Sequence, residues 1–151
     1  MDNEVGSPLY NYLSGLADDE LVLGHRDSEW CGLAPILEED IAFANLALDE
    51  IGHASLWYNL VARLSGQDPT AYPDQLIFTR HPEGYRNIQM VELPVGDWAY
   101  SILRQYLFDA YELVHRTALM QSSYAPAAEI AAKIRTEEIY HIRHRSAWVQ
   151  R

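Results

Sequence analysis

Apolar side chains recur every three or four positions along most of the chain, which is the spacing of an amphipathic helix. Proline suits the first turn of a helix and aspartate suits the N-cap, so Pro8, Pro35 and Asp97 indicate where helices begin. The second helix is apolar on more than one side and is expected to be central. The pattern predicts an all-α fold, a single domain over residues 1–151, with four long helices over residues 8–32, 35–65, 98–122 and 127–149.

The residues between the second and third helices, 67–96, are the least regular part of the chain. Prolines and glycines interrupt any helical period there, at positions 69, 73, 82, 84, 94 and 96. A connection of this length predicts a crossover from one end of a bundle to the other, or a short helix of its own over residues 86–91. The polar residues 1–7 are expected to fray.

The composition excludes several functional classes. Asp and Glu number 22 against 11 Lys and Arg, so the net charge of -11 argues against nucleic-acid binding. No apolar run reaches the length of a membrane span, and no charged, apolar leader precedes the helices. The only cysteine, Cys31, is expected to be a small buried hydrophobe. A cytoplasmic protein without nucleic-acid or membrane partners is the prediction.

Two Glu-x-x-His motifs carry the candidate chemistry. Glu50 and His53 are three residues apart in the second helix, and Glu138 and His141 repeat this spacing in the fourth. Residues three apart share a helix face, so each pair can bind one metal ion. Two such pairs on separate helices are what a four-helix bundle needs for a dinuclear metal site.

The other two helices are expected to add one carboxylate each. Glu29 is the candidate in the first helix, and in the third helix Asp109 and Glu112 are both candidates because they lie three residues apart among apolar neighbours. Four carboxylates and two imidazoles suit iron or manganese better than zinc, which prefers fewer ligands with more nitrogen or sulfur.

An acidic residue stands directly before each motif glutamate. A ligating imidazole usually donates its other N–H to a carboxylate, and Asp49 and Glu137 are the candidates for that role. In a bundle, Asp49 is expected to serve His141, and Glu137 to serve His53. The alternative is that both are solvated residues beside the site.

Several runs of residues are typical of one known family: 28–32, 37–42, 47–49, 91–94, 108–110 and 140–141. They resemble the phenylacetyl-CoA epoxidase subunits of bacterial phenylacetate degradation, most closely the non-catalytic ferritin-like subunit. The resemblance covers nearly the whole chain. It implies a ferritin-like four-helix bundle with a long crossover connection between helices two and three.

The resemblance to the catalytic subunit of that complex also implies a ligand set for two iron ions, with manganese as the alternative. It favours Asp109 over Glu112, which stays as an alternative ligand. The implied chemistry is that of a di-iron monooxygenase, with an external reductase and an aromatic CoA ester as partners. The implied metal ligands are Glu29, Glu50, His53, Asp109, Glu138 and His141. Asp49 and Glu137 are expected to accept hydrogen bonds from the ligating imidazoles.

The sequence departs from the family in two ways. The non-catalytic subunit has lost parts of both Glu-x-x-His pairs and serves as a scaffold, whereas this chain retains them. Relatives also continue past the fourth helix, so the chain is expected to be truncated relative to the family, and a second copy or a paralogous ferritin-like subunit is expected to cover its exposed apolar face. Two alternatives therefore stay open: a structural subunit that scaffolds a catalytic paralogue, and a small iron-handling or peroxide-consuming ferritin-like protein.

Overall fold

The computed structural model describes residues 5–151, and no β-strand occurs in that part of the chain. The prediction of an all-α fold is confirmed. Residues 1–4, part of the segment predicted to fray, lie outside the described residues. The helices are α1 (Pro8–Ser28), α2 (Leu37–Leu64), α3 (Tyr72–Thr79), α4 (Gln89–Glu92), α5 (Trp98–Leu119) and α6 (Ala125–Val149), with a 3-10 turn at Pro82–Gly84.

The internal contacts divide the chain into two compact units. The first unit takes in the chain up to Cys31 together with Ile41–Leu93, and so contains α1, α3, α4 and most of α2. The second unit consists of Gly32–Asp40 and Pro94–Arg151 and contains α5 and α6. The prediction of a single domain stays a prediction.

Side-chain caps determine where two of the long helices begin. The Ser7 hydroxyl accepts a hydrogen bond from the Tyr10 backbone N–H at 3.1 Å, one turn into α1. The Asp97 carboxylate accepts from the Tyr100 N–H at 2.8 Å in the same way at the start of α5, so the predicted N-cap is confirmed. The predicted C-terminus of the first helix is wrong by about one turn, because α1 ends at Ser28 rather than near Gly32.

In the first unit, two adjacent aspartates of α1 hold the long connection in place. Asp18 accepts hydrogen bonds from the Arg80 guanidinium at 2.6 Å and from the Arg86 backbone N–H at 2.8 Å. Asp19 accepts from the Ile88 backbone N–H at 2.6 Å. Both carboxylates are buried, so they satisfy backbone donors that a connection without regular pairing would leave unsatisfied.

In the second unit, α5 and α6 form a hairpin whose connection spans residues 120–124. Helix α5 is inverted relative to an ordinary surface helix. Its buried face carries charge, from Arg104, Asp109, Glu112 and Arg116. Its exposed face carries large apolar residues at helical spacing, namely Tyr100, Leu103, Leu107, Tyr111 and Val114.

The structure bears on the predictions made for membrane-spanning segments and for the single cysteine. None of the helices between residues 5 and 151 combines the length and apolar character needed to cross a bilayer. Cys31 is exposed, which corrects the expectation of a buried thiol. The earlier end of α1 explains this, because Cys31 follows the helix in a turn rather than continuing its apolar face.

Candidate metal centre

The first Glu-x-x-His pair lies in the first unit, beside a carboxylate from α1. The Nδ1 atom of His53 is 3.5 Å from a Glu50 carboxylate oxygen and 3.7 Å from a Glu20 carboxylate oxygen. Each of the three residues offers a ligand atom, these atoms lie within 4.8 Å of one another, and all three residues are buried. Two helices of the first unit therefore bring two carboxylates and an imidazole to one point.

A glycine allows α1 and α2 to approach closely next to this group. A Cβ atom placed on Gly24 would lie 2.9 Å from Ile51 Cγ1 and 3.2 Å from both the Ala47 carbonyl oxygen and Glu50 Cβ. Gly24 lies four residues after Glu20, one helical turn along α1. The absence of a side chain at Gly24 thus lets the α1 backbone lie against the turn of α2 that carries Glu50.

The charges of this group decide the protonation of its imidazole. Burial by itself lowers the pKa of His53, but hydrogen bonds and charge attraction from Glu20 and Glu50 outweigh burial and raise that pKa from 6.5 to about 12. In the metal-free protein at neutral pH, His53 therefore carries a proton and partly neutralises the two carboxylates. A metal ion that binds His53 must replace this proton.

The structure places Glu20, rather than Glu29, beside Glu50 and His53. Glu29 follows the last residue of α1 as its C-cap, is exposed, and forms an ion pair with Arg26 at 2.6 Å. The sequence analysis chose Glu29 because a bundle site needs one carboxylate from the first helix, and the resemblance implies the same residue. The assignment of Glu29 as a metal ligand stays a prediction. The structure adds Glu20 as a candidate, because Glu20 lies within α1 on its buried face, whereas α1 ends before Glu29.

One pattern in the sequence could have identified Glu20. It shares a helical face with the apolar residues that α1 buries, at spacings of three and four. A carboxylate on such a stripe must be neutralised, hydrogen-bonded or bound to a metal, because burying an isolated charge is costly. The apolar residues of that face are Leu13, Leu16, Ala17 and Leu23.

The second Glu-x-x-His pair lies in the second unit, on α6. The Nδ1 atom of His141 is 3.1 Å from a Glu138 carboxylate oxygen, and both side chains are fully buried. The helical spacing therefore brings the carboxylate and the imidazole together as the sequence predicts. Both groups point away from solvent, as a metal-binding pair in a bundle would.

Both candidate carboxylates of α5 are buried and each contacts an arginine. Asp109 accepts a hydrogen bond from the guanidinium of Arg145 on α6, and Glu112 accepts one from the guanidinium of Arg116. The other Nη atom of Arg116 donates to His115 Nδ1 at 2.8 Å. Burial, with Arg116 as the second cause, lowers the pKa of His115, so its imidazole is neutral and can accept that hydrogen bond.

The residues before the motif glutamates, Asp49 and Glu137, are half-buried. Their positions next to the two pairs follow directly from helix geometry. Their predicted role, as acceptors for the imidazole N–H groups of the opposite helices, stays a prediction.

The donor chemistry of each pair fits a metal ion of the predicted kind. Carboxylate oxygens and neutral imidazole nitrogens are the ligands that iron and manganese use in helical bundles. In the first unit, a buried cluster of two carboxylates around one imidazole would gain from a divalent cation, because the cation would neutralise charge that burial otherwise penalises.

Comparison with known proteins gives two findings. The family model described as "Phenylacetic acid catabolic protein" matches residues 1–151. One of the subunits of 1,2-phenylacetyl-CoA epoxidase from Escherichia coli (strain K12) is 41% identical over 140 residues, covering 93% of this chain. The match takes in 55% of the relative, so the chain spans about half the length of that protein. These findings confirm the resemblance seen in the sequence and the predicted all-α, ferritin-like class.

Proposed function

This chain belongs to the phenylacetic acid catabolic protein family and is related to the epoxidase subunits, and from that premise we propose that it is a di-iron subunit of a monooxygenase. One observation carries the proposal. Glu20, Glu50 and His53 gather two buried carboxylates and one imidazole within metal-binding distance of one another.

In this proposal each Glu-x-x-His pair binds one ion. Glu50 and His53, joined by Glu20, bind one, and Glu138 and His141 bind the other. Bound iron supplies the reduction and activation of dioxygen. The helices contribute burial, which excludes water from the ligands. That both ions share one dinuclear centre stays a prediction from the sequence.

The partners of the chain are part of the same proposal. The E. coli relative is named as a subunit of an epoxidase for phenylacetyl-CoA. By analogy we propose an aromatic CoA ester as substrate, an external reductase, a paralogous ferritin-like subunit as partner, and the cytoplasm as the location. Each of these extends a likeness over about half of the relative's length.

A second candidate function is a structural subunit that stabilises a catalytic paralogue. The ion pairs of α5 favour it, because Arg145 and Arg116 neutralise Asp109 and Glu112 with protein groups alone. This candidate predicts tight copurification with a paralogue, and a chain that stays folded and metal-free.

Elemental analysis of iron and manganese separates these functions. We expect about two metal ions per wild-type chain, consistent with one per Glu-x-x-His pair. Glu50→Ala and His141→Ala should each bind fewer. If the wild type binds no metal even after anaerobic loading with ferrous ion, the proposal is wrong and the structural role leads. Rapid oxidation of ferrous ion by peroxide without an organic substrate would instead indicate an iron-handling protein.

A further inference from the structure

The open end of the α5–α6 hairpin contains a cavity away from the Glu-x-x-His pairs. It lies between the N-terminal turns of α5 and the C-terminal end of α6, and its volume is about 410 Å³. This volume is within the range of small-molecule pockets, about 300–1,000 Å³. The residues that line it belong to the second unit and include Trp98, Ile102, Leu103, Trp148, Val149 and Arg151.

Two indole rings form walls of this cavity. The ring centroids of Trp98 and Trp148 are 5.5 Å apart with an interplanar angle of 79°, so the two rings hold each other in an edge-to-face contact. Both side chains are half-buried, and part of each ring faces the cavity. Aromatic rings attract one another in edge-to-face or offset geometry, so these walls favour a ligand with a planar aromatic ring.

A guanidinium group lies beside the same walls. The Cζ atom of Arg151 is 4.9 Å from the centroid of the Trp148 ring, so the cation stacks on the indole. Within residues 5–151, the Arg151 guanidinium forms no hydrogen bond or ion pair. The Asp97 carboxylate, just before α5, accepts instead from the Tyr100 backbone N–H. Arg151 therefore has N–H donors for an anionic ligand group.

The cavity is separate from the second candidate metal pair. Trp148 follows His141 by seven residues on α6, which is two helical turns or about 10 Å along the helix axis. Neither Glu138 nor His141 lines the cavity. A ligand in the cavity would therefore leave both of these side chains in place.

We propose that this cavity binds a small aromatic carboxylate, with the ring against Trp98 and Trp148 and the carboxylate on the Arg151 guanidinium. The inference goes beyond the proposed function, because it requires neither a metal ion nor another subunit. The ligand is a free acid, since a thioester of that acid lacks the carboxylate that Arg151 binds. The cavity thus distinguishes an aromatic acid from its CoA ester, and binding makes only hydrogen bonds and ring contacts.

The test is a titration of the full isotope-labelled chain with phenylacetate, followed by the NMR signals of the indole N–H groups. The chain has four tryptophans, so Trp30 and Trp57 are internal controls. The signals of Trp98 and Trp148 should shift and saturate, with a Kd of roughly 1 mM or tighter for a ligand of this size. Phenylacetamide has the same ring without the charge and should bind roughly 10-fold more weakly.

Variants at exposed or half-buried positions test each part of the cavity. Arg151→Gln should weaken phenylacetate binding roughly 10-fold and remove the preference over phenylacetamide. Arg143→Gln is the matched control, because it removes the same charge from an exposed position of α6 outside the cavity and should leave the Kd unchanged. Trp148→Leu should weaken both ligands by roughly 3-fold or more. Far-UV circular dichroism verifies that each variant is folded.

Four results would each overturn the inference. Phenylacetate causes no saturable shift up to about 10 mM, ten times the expected Kd. All four indole signals shift alike. Phenylacetamide binds as tightly as phenylacetate, or Arg151→Gln and Arg143→Gln have equal effects. None of these results depends on metal content, so the inference and the proposed function fail separately.

Discussion

The two Glu-x-x-His pairs have the same spacing, yet their surroundings differ. Around His53, two carboxylates from α1 and α2 converge on one imidazole and raise its pKa to about 12. In the second unit, Glu138 and His141 lie on a helix whose neighbour, α5, carries carboxylates that contact buried arginines. In the first unit, the positive charge beside the carboxylates is the proton on the His53 imidazole. In the second unit, it is on the guanidinium groups of Arg116 and Arg145.

The difference shows what local spacing can and cannot determine. Helix geometry alone brings the carboxylate and imidazole of each pair together. The charge around each pair depends on the other helices of its unit: two carboxylates surround the imidazole in the first unit, and α5 carries ion pairs of carboxylates with arginines in the second. The following predictions test this contrast, from the largest expected effect to the smallest.

Removal of the interhelical guanidinium should give the largest loss of stability. Arg145→Met leaves the Asp109 carboxylate buried without its arginine partner, which should lower the free energy of unfolding by about 3–5 kcal/mol. Urea denaturation of the metal-free protein measures this. Glu29→Gln is the control, since it removes an exposed ion pair with Arg26 and should cost at most about 1 kcal/mol. Equal losses in the two variants would contradict the contrast.

Replacement of the α1 carboxylate should weaken the metal site of the first unit. Glu20→Gln removes a candidate ligand without changing size, and we expect roughly 100-fold weaker binding of one ion, about 2.7 kcal/mol. Glu29→Gln is again the matched control on the same segment and should bind both ions normally. If Glu29→Gln loses an ion and Glu20→Gln does not, the assignment of Glu29 from the sequence is right.

Alanine substitutions at Gly24 and Gly52 test the close approach of α1 and α2. Gly24→Ala places a Cβ atom 2.9 Å from Ile51 Cγ1 and should destabilise the chain by about 1–3 kcal/mol while weakening metal binding near Glu50. Gly52→Ala lies on α2 with no heavy atom within 4 Å of the added Cβ, and should stabilise by up to about 1 kcal/mol. Thermal denaturation with cobalt titration measures both. Similar effects at the two positions would show that the helices do not approach as described.

The pH dependence of metal binding should report the proton on His53. Its pKa is raised from 6.5 to about 12 in the folded metal-free protein, so this proton stabilises that state fully below pH 6.5, and the contribution falls as pH rises towards 12. A metal ion displaces the proton, so affinity should increase by about tenfold per pH unit within that range. Proton release in weakly buffered solution measures this, with His141→Ala as a control that should still release it. An affinity independent of pH would contradict the assignment.

Most of the fold could be predicted from the sequence because its helices carry strong local patterns. The Asp97 cap, the proline at the start of α1 and the spacing of both Glu-x-x-His pairs are local features, and the structure agrees with each. The helix α3 was not predicted, because the prolines around it resemble a loop.

The choice among acidic residues was harder because it depends on packing. Helix α1 contains Asp18, Asp19 and Glu20 in sequence, and each has a different partner or neighbour: Arg80, the backbone of the connection, and the imidazole of His53. Residues next to each other on a helix face different directions. The local sequence does not determine which of these side chains faces the candidate metal ligands and which faces the long connection.

The two aspartates that hold the long connection also affect its conformational entropy. A segment of about thirty residues between α2 and α5 would be costly to close as one free loop, but Asp18 and Asp19 fix it at Arg80, Arg86 and Ile88. The connection therefore behaves as several short loops rather than a single long one. Loss of the Asp18 carboxylate would release the connection at Arg80 and Arg86 and leave one longer free loop. A protease would then cleave first near Arg80 and Arg86, while the helices on either side were still intact.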